Sequence, residues 1–278
     1  MKRVLTLCLL LQLPGIAVAT PRQDWFKNTP LKESLQALLS HQTQQAWQEL
    51  VIAVEQNPVT ANYLQPIKLE ILRQSDCGHQ LTDPSNGSFP PFTLSLISRT
   101  GQTSSGYQIK LSIEDSRQSG AFSLNAPNGE TLISGTLNAT NHYQEWEISE
   151  LLTKPTPGVY RLNYRNQQML LLVSDYNAST WLSRSDSNQT RLKLALPSGN
   201  QSCFPASVML QWFDKQYQQV GDRLPLSATA HYVDLPKSTA RQGAQYLSAS
   251  ALLFEYQASI KVEYIHRMSL PTPQSTFK

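Results

Sequence analysis

Charge is scarce in this chain. Asp, Glu, Lys and Arg supply 15% of its 278 residues, against roughly 25% in a typical globular protein. The formal net charge is only +3, and no basic stripe stands out, so no nucleic-acid partner is expected. Long apolar runs are missing as well. The longest, near the start, is shorter than the ~20 residues that span a bilayer, so no transmembrane segment is expected in the mature chain. There are three cysteines, none in Cys-x-x-Cys spacing, which removes the usual dithiol redox chemistry. The hydrolase signatures Gly-x-Ser-x-Gly, Ser-x-x-Lys with Lys-Thr-Gly, and His-Glu-x-x-His are absent, as are nucleotide-binding glycine loops and EF-hand spacing. None of the histidines, His41, His79, His142, His231 and His266, has another at i+2 or i+4. No catalytic residue, cofactor-binding residue or metal ligand is therefore assigned.

What is present begins with an export signal. Lys2 and Arg3 give a basic start, Val4 to Leu13 a short apolar core, and Ala17-Val18-Ala19 the small-x-small pattern of a cleavage site. Residues 1–19 read as a signal peptide cut between Ala19 and Thr20. Cleavage removes Lys2 and Arg3, leaving 21 Lys+Arg against 20 Asp+Glu and a net charge of +1. It also removes Cys8. Cys77 and Cys203 remain, and two cysteines in an oxidising compartment predict one disulfide.

Periodicity divides the rest. After a short arm containing Trp25 and Phe26, Thr29 and Pro30 form a helix start. Leu31, Leu35, Leu38, Leu39, Ala46, Trp47, Leu50, Val51 and Val54 recur at helical spacing up to Asn57-Pro58. This is one helix, or two with a break near residues 42–44. Ile67, Leu69 and Ile71 alternate with Lys68, Glu70 and Leu72, which predicts a strand leading to Cys77, with a short helix after Pro66 as the alternative. Residues 20–81 thus form a helical segment and strand. From Phe92 to Asp175 strand signals come every 8–12 residues, and a second set follows Tyr176. The closing pair is Leu247–Tyr256 and Ser259–Met268. In its last strand Ile260, Val262, Tyr264 and His266 point one way, and Lys261, Glu263, Ile265 and Arg267 the other. The expected fold is mainly β with an N-terminal helical segment. It comprises two tandem β-sandwich domains, 82–175 and 176–278.

Few residues carry candidate chemistry. Cys77-Gly78-His79 sets a thiol near a base, but a disulfide would consume the thiol. Glu114-Asp115, and Glu145 with Glu147 around Trp146, read as solvated pairs.

The Pro157-Gly158 corner and the strand after it, within 146–175, resemble bacterial immunoglobulin-like domains, although the inter-sheet cysteine pair of antibody domains is absent. Trp25-Phe26, the helix carrying Trp47, Tyr63-Leu64-Gln65-Pro66, Cys77-Gly78 and the stretch Cys203–Phe213 resemble a family of exported Gram-negative proteins known as a domain of unknown function. That resemblance implies a periplasmic location, with an extracellular one as alternative. It carries no catalytic residues. The leading expectation is a non-enzymatic binding or accessory protein of the cell envelope, its partner an envelope protein or glycan. The alternatives are a chaperone with two immunoglobulin-like domains, which would offer an edge strand to clients, and an envelope enzyme with a site at the domain junction.

Overall fold

The computed structural model describes residues 29–57, 59–81, 89–101, 104–139, 142–176, 180–185, 188–197, 203, 205–228, 231–235 and 241–270. The signal peptide, the Ala19–Thr20 cleavage point and Trp25-Phe26 lie outside these residues.

Three helices open the described chain: α1 Lys32–Leu39, α2 Thr43–Gln56 and α3 Ala61–Gln74. Thr29 Oγ1 accepts the backbone N–H of Leu31 at 3.3 Å just before α1. His41, in the left-handed region at φ 57°, separates α1 from α2, so the long amphipathic stripe folds into two helices. The strand expected around residues 67–73 is α3 instead. The alternation of Ile67, Leu69 and Ile71 coincides with a second pattern, Leu64, Lys68, Ile71 and Leu72, which are the residues α3 buries. The helical period wins. Pro66 sits early in α3, where it leaves only one backbone hydrogen bond unmade.

Fourteen strands follow among the described residues: β1 Thr93–Thr100, β2 Ser105–Ile113, β3 Gly120–Asn125, β4 Thr131–Leu137, β5 Gln144–Leu151, β6 Gly158–Tyr164, β7 Gln167–Val173, β8 Leu182–Ser185, β9 Asn188–Leu194, β10 Ser207–Phe213, β11 Leu224–Leu226, β12 Tyr232–Asp234, β13 Tyr246–Gln257 and β14 Ile260–Leu270. They form sheets of seven strands (β11-β10-β13-β14-β1-β2-β5), four strands (β4-β3-β6-β7) and three strands (β12-β9-β8). The protein is mainly β, with its helices near the N-terminus.

Two self-contained sandwiches would each keep their own strands. The strands here do not divide that way. β14 inserts between β13 and β1, running parallel to β1 with Leu94 opposite Val262 and Leu96 opposite Tyr264. The seven-stranded sheet therefore draws β1, β2 and β5 from before residue 175, and β10, β11, β13 and β14 from after it. Strand rhythm reveals how many strands there are. It does not reveal which neighbour a strand chooses across more than a hundred residues.

One face of the large sheet is the core. Leu94, Leu96, Ile109, Leu111, Leu253, Val262 and Tyr264 are buried with Phe122, Leu124, Tyr160, Leu162 and Tyr164 of the four-stranded sheet. Trp181, Leu182, Leu192 and Leu194 of the three-stranded unit belong to the same core, and Trp181 stacks on His266 with ring centroids 4.2 Å apart. The four-stranded sheet is covered on its other side too. Val159 and Leu172 pack against Trp47, Leu50, Ile71 and Leu72 of the helices. This explains the unbroken run Met169–Val173, since a strand buried on both faces needs no polar alternation.

Candidate functional site

The junction of α3, the edge of β7 and the β13–β14 hairpin holds the most concentrated buried polar chemistry among the described residues. Lys68, on the apolar face of α3, is fully buried. Its ammonium donates to Glu255 at 2.5 Å, to the carbonyl of Leu172 at 2.7 Å and to Ser174 Oγ at 2.7 Å. All three of its donors are used. Glu255 reaches the core face because it continues the alternation of Leu247, Ala249, Ala251 and Leu253 along β13. Its Oε1 also accepts from Gln257 Nε2 at 3.0 Å and from the Tyr264 hydroxyl at 3.1 Å.

Gln257 acts as a surrogate strand for β7. Its amide accepts from the Leu172 N–H at 2.8 Å and donates to the Leu172 carbonyl at 2.9 Å. Two residues on, the Ser174 N–H donates to the Tyr264 hydroxyl at 2.9 Å. Side chains thus close the β7 edge at the positions where another strand would pair.

The electrostatics fit a closed cluster. Burial draws the Lys68 ammonium below its ordinary pKa, with the charge and hydrogen bond of Glu255 pulling the other way. Burial, and then the Glu255 charge, push the hydroxyls of Tyr264 and Tyr176 well above the usual tyrosine range. Both remain protonated at neutral pH, and Tyr176 also bonds to Gln65. The adjoining cavity, lined by Glu255, Tyr176, Leu253, Cys77 and Cys203, measures about 20 Å³. That is room for roughly one water.

Cys77 and Cys203 meet beside it, with their sulfurs 2.14 Å and their Cα atoms 5.5 Å apart. The turn carrying Cys77 is unusual. Asp76, Cys77 and Gly78 all have positive φ, a conformation that costs energy at non-glycine residues. Gly78 is required there. A Cβ would collide with the Tyr256 carbonyl, while the Gly78 carbonyl accepts the Ala258 N–H at 2.9 Å. His79 lies against the Tyr256 ring, centroids 4.1 Å apart. Cys77 and His79 are therefore engaged separately, and the thiol–base pairing has no counterpart. Among the described residues no group of three or more His, Cys, Asp or Glu could hold a metal ion.

The second candidate is the other face of the seven-stranded sheet. Alternate residues of β13 and β14 on that side stay part-exposed. Towards β5 it carries compensated charge: Lys110 pairs with Glu145 at 3.0 Å, and Gln108 donates to Glu147. In mid-sheet Lys261 pairs with Glu263 at 2.6 Å and lies 4.4 Å from the Phe254 ring centre, while Ser95 donates to Glu263 at 2.9 Å. Past these the sign changes. Arg267 stands opposite Arg99 on one neighbour and Ser250 on the other. Arg223 precedes β11, whose Leu224 pairs with Leu210.

The family model described as "Protein of unknown function (DUF2861)" matches residues 25–273. The chain belongs to this family. The match takes in Trp47, Tyr63–Pro66, Cys77-Gly78 and Cys203–Phe213, so the resemblance drawn from those residues holds. No curated protein matches. A solved structure described as "Biofilm associated protein - BSP domain" is similar at 10% identity with a TM-score of 0.21, over 66% of this chain and 30% of that one. That likeness carries neither fold nor function. Among the described residues no helix is long and apolar enough to cross a membrane.

Sequence reasoning missed both candidates. The alternation over residues 67–72 sets Lys68 in a strand, although its i, i+4 relation to Leu64 and Leu72 marks the helical stripe. Arg267 was placed on its proper face, but nothing local links it to Arg99.

Proposed function

We propose that the protein is a non-enzymatic binding or accessory protein of the bacterial cell envelope, exported to the periplasm and engaging its partner through the part-exposed face of the seven-stranded sheet. The observation that carries this reading is the asymmetry of that sheet. One face is packed with Leu, Val and aromatic residues, while the other presents Phe254, Ile265, Arg267 and Arg99 on long strands, each part-exposed. A bond between Cys77 and Cys203 is stable only outside a reducing cytoplasm, which supports export.

The two alternative readings have less support. A chaperone needs a free edge strand; the β7 edge is occupied by Gln257, Lys68 and Tyr264, which leaves β4 and β5 as the long edges a client could use. An enzyme needs substrate access, and the polar junction has spent its donors internally beside a cavity of about 20 Å³. The test is a photo-crosslinking amino acid placed at Phe254, at Ile265, or at the 89% exposed Leu152 as a control. In intact cells, adducts are expected from the sheet face and not from the control. The protein should be recovered from the periplasmic fraction with residue 20 as its first. Absence of adducts at both face positions refutes the binding reading.

A further inference from the structure

Six strands end the three sheets among the described residues, and five of them carry a device that discourages pairing. The β7 edge is occupied by Gln257, Lys68 and Tyr264. β5 carries Glu145, Glu147 and Glu150, and its register against β2 shifts between Tyr107 and Ile109. β11 and β12 are three residues long, with Pro225 in one and Asp234 in the other. β8 has four residues, includes Arg184 and lies against β13 and β14. Charge, proline, shortness and irregularity are the means by which sheet edges avoid other chains. β4 is the exception. Thr131–Leu137 is seven residues long and holds no charge and no proline.

The ladder fixes which backbone groups of β4 face outward. The N–H and C=O of Leu172 point away from β6, towards Gln257. The opposed pair Val159 and Leu172 is therefore not hydrogen-bonded, and Arg161 and Asn163 turn their backbone groups to β3. Their partners there are Asn125 and Ser123. Phe122 and Leu124 then bond to Gly135 and Ile133 of β4, which leaves the N–H and C=O of Ser134 and Thr136 pointing outward. Both residues are exposed, and among the described residues no strand pairs with that side of β4. The open stretch is bounded at both ends. The register shifts beside Thr131, and the Gln144 amide accepts from the Asn138 N–H at 2.9 Å and donates to its C=O at 2.8 Å.

What lies between those bounds reads the same in both directions. Ile133-Ser134-Gly135-Thr136-Leu137 runs apolar, hydroxyl, glycine, hydroxyl, apolar. We propose that β4 pairs antiparallel with β4 of a second copy of this chain, about a two-fold axis at Gly135, so that two four-stranded sheets become one continuous sheet. Ser134 of each copy then lies opposite Thr136 of the other, and each of these pairs exchanges an N–H and a C=O in both directions. Hydroxyls meet on the outer face and Ile133 meets Leu137 on the inner one, both favourable cross-strand pairs. A two-fold contact sets the same patch against itself, so any charge in the stretch would meet its own kind, and there is none. Gly135 has a separate cause: a Cβ there would lie 2.8 Å from the Trp146 indole nitrogen, so β5 packs tightly beneath the strand and holds its edge in place. This contact lies apart from the sheet face invoked above and does not depend on it.

The test uses the purified mature protein, followed by analytical ultracentrifugation over a wide range of concentration. Wild type should associate to a dimer. Ser134→Pro removes an outward N–H that no internal ladder bond uses, a place where an edge strand tolerates proline. Thr136→Lys brings two ammonium groups together across the axis. Each variant should keep the wild-type Tm and dimerise about tenfold or more weakly. The register has its own readout. Residues directly opposed in a hydrogen-bonded pair have Cα atoms about 5.5 Å apart, within reach of a disulfide. Ser134→Cys mixed with Thr136→Cys should therefore crosslink in higher yield than either variant alone. A wild type that stays monomeric at every concentration overturns the inference, as does equal crosslinking in the mixture and in the single variants. Binding of a synthetic peptide of residues 131–137 to a protein that does not self-associate also overturns it, and assigns the edge to a foreign strand. None of these results touches the crosslinks expected at Phe254 and Ile265, so the broader binding reading stands or falls separately.

Discussion

Removal of the Lys68 ammonium tests whether the buried junction locks the layers together. In Lys68→Met the aliphatic stem is approximately preserved, so little packing is lost, but three charge-assisted hydrogen bonds vanish. Glu255 is then left buried with its cationic partner gone. Breaking a buried pair from one side costs about 3–5 kcal/mol, because an uncompensated charge remains. At roughly 2–4 °C per kcal/mol for a chain of this size, Tm should fall on the order of 10 °C. Glu255→Gln alone should cost a similar amount by stranding the ammonium. The double variant should recover most of the loss, since a neutral glutamine can still accept from Gln257 and Tyr264. Urea denaturation of all four proteins supplies the coupling energy, which should exceed about 2 kcal/mol. Strict additivity of the two single losses would refute the reasoning, as would a Lys68→Met cost below about 1 kcal/mol.

The remaining expectations concern the same layers. Cys77 and Cys203 are separated by 126 residues, so the chain-entropy model gives an upper bound of about 4–5 kcal/mol for a bond between them. Cys77→Ser with Cys203→Ser should lower Tm markedly, and two free thiols in protein purified from the periplasm would rule the bond out. His266 is held neutral, its pKa lowered to about 4 by burial and then by Lys154. Above about pH 6.5 neither the folded nor the unfolded state binds this proton. Between about 6.5 and 4 only the unfolded state takes it, so stability falls as pH falls. Discounted for partial screening, the loss is on the order of 2 kcal/mol. His266→Phe keeps a ring on Trp181 and should flatten that part of the pH–Tm curve. An unchanged curve would mean that His266 does not carry the dependence.

What was legible in the residues follows the range of the interactions concerned. The split into α1 and α2 sits at the notch between Leu39 and Ala46, and a left-handed His41 fills it. The closing hairpin, with Ile260, Val262, Tyr264 and His266 inward and Arg267 outward, is written in a period of two and appears so in the structure. Both rest on contacts a few residues apart. The strand assignment for 67–73 failed because apolar residues at 67, 69 and 71 satisfy two periods at once, and burial against Trp47 and Leu172 decides between them. The expected division into sandwiches at 82–175 and 176–278 is crossed by the seven-stranded sheet for a related reason. β1 and β14 carry complementary apolar faces, but so do many pairs of strands in this chain, and only the assembled core selects that parallel partner.

The same limit governs the two polar clusters, and it bears on how such sites are found. Lys68 and Glu255 each interrupt an apolar pattern, one helical and one alternating, and a lone interruption reads as a solvated residue until its partner is known. Two interruptions of opposite charge on buried faces are better read together, because neither can be buried alone at acceptable cost. By that rule Lys68 predicts a buried acid, and Glu255, the one carboxylate on the inward face of the β13 pattern, answers it. Arg267 and Arg99 obey the converse. They lie on the outward faces of β14 and β1, where charge is ordinary, and only the register that sets them opposite each other makes them unusual. A like-charged pair directly across a sheet is destabilising.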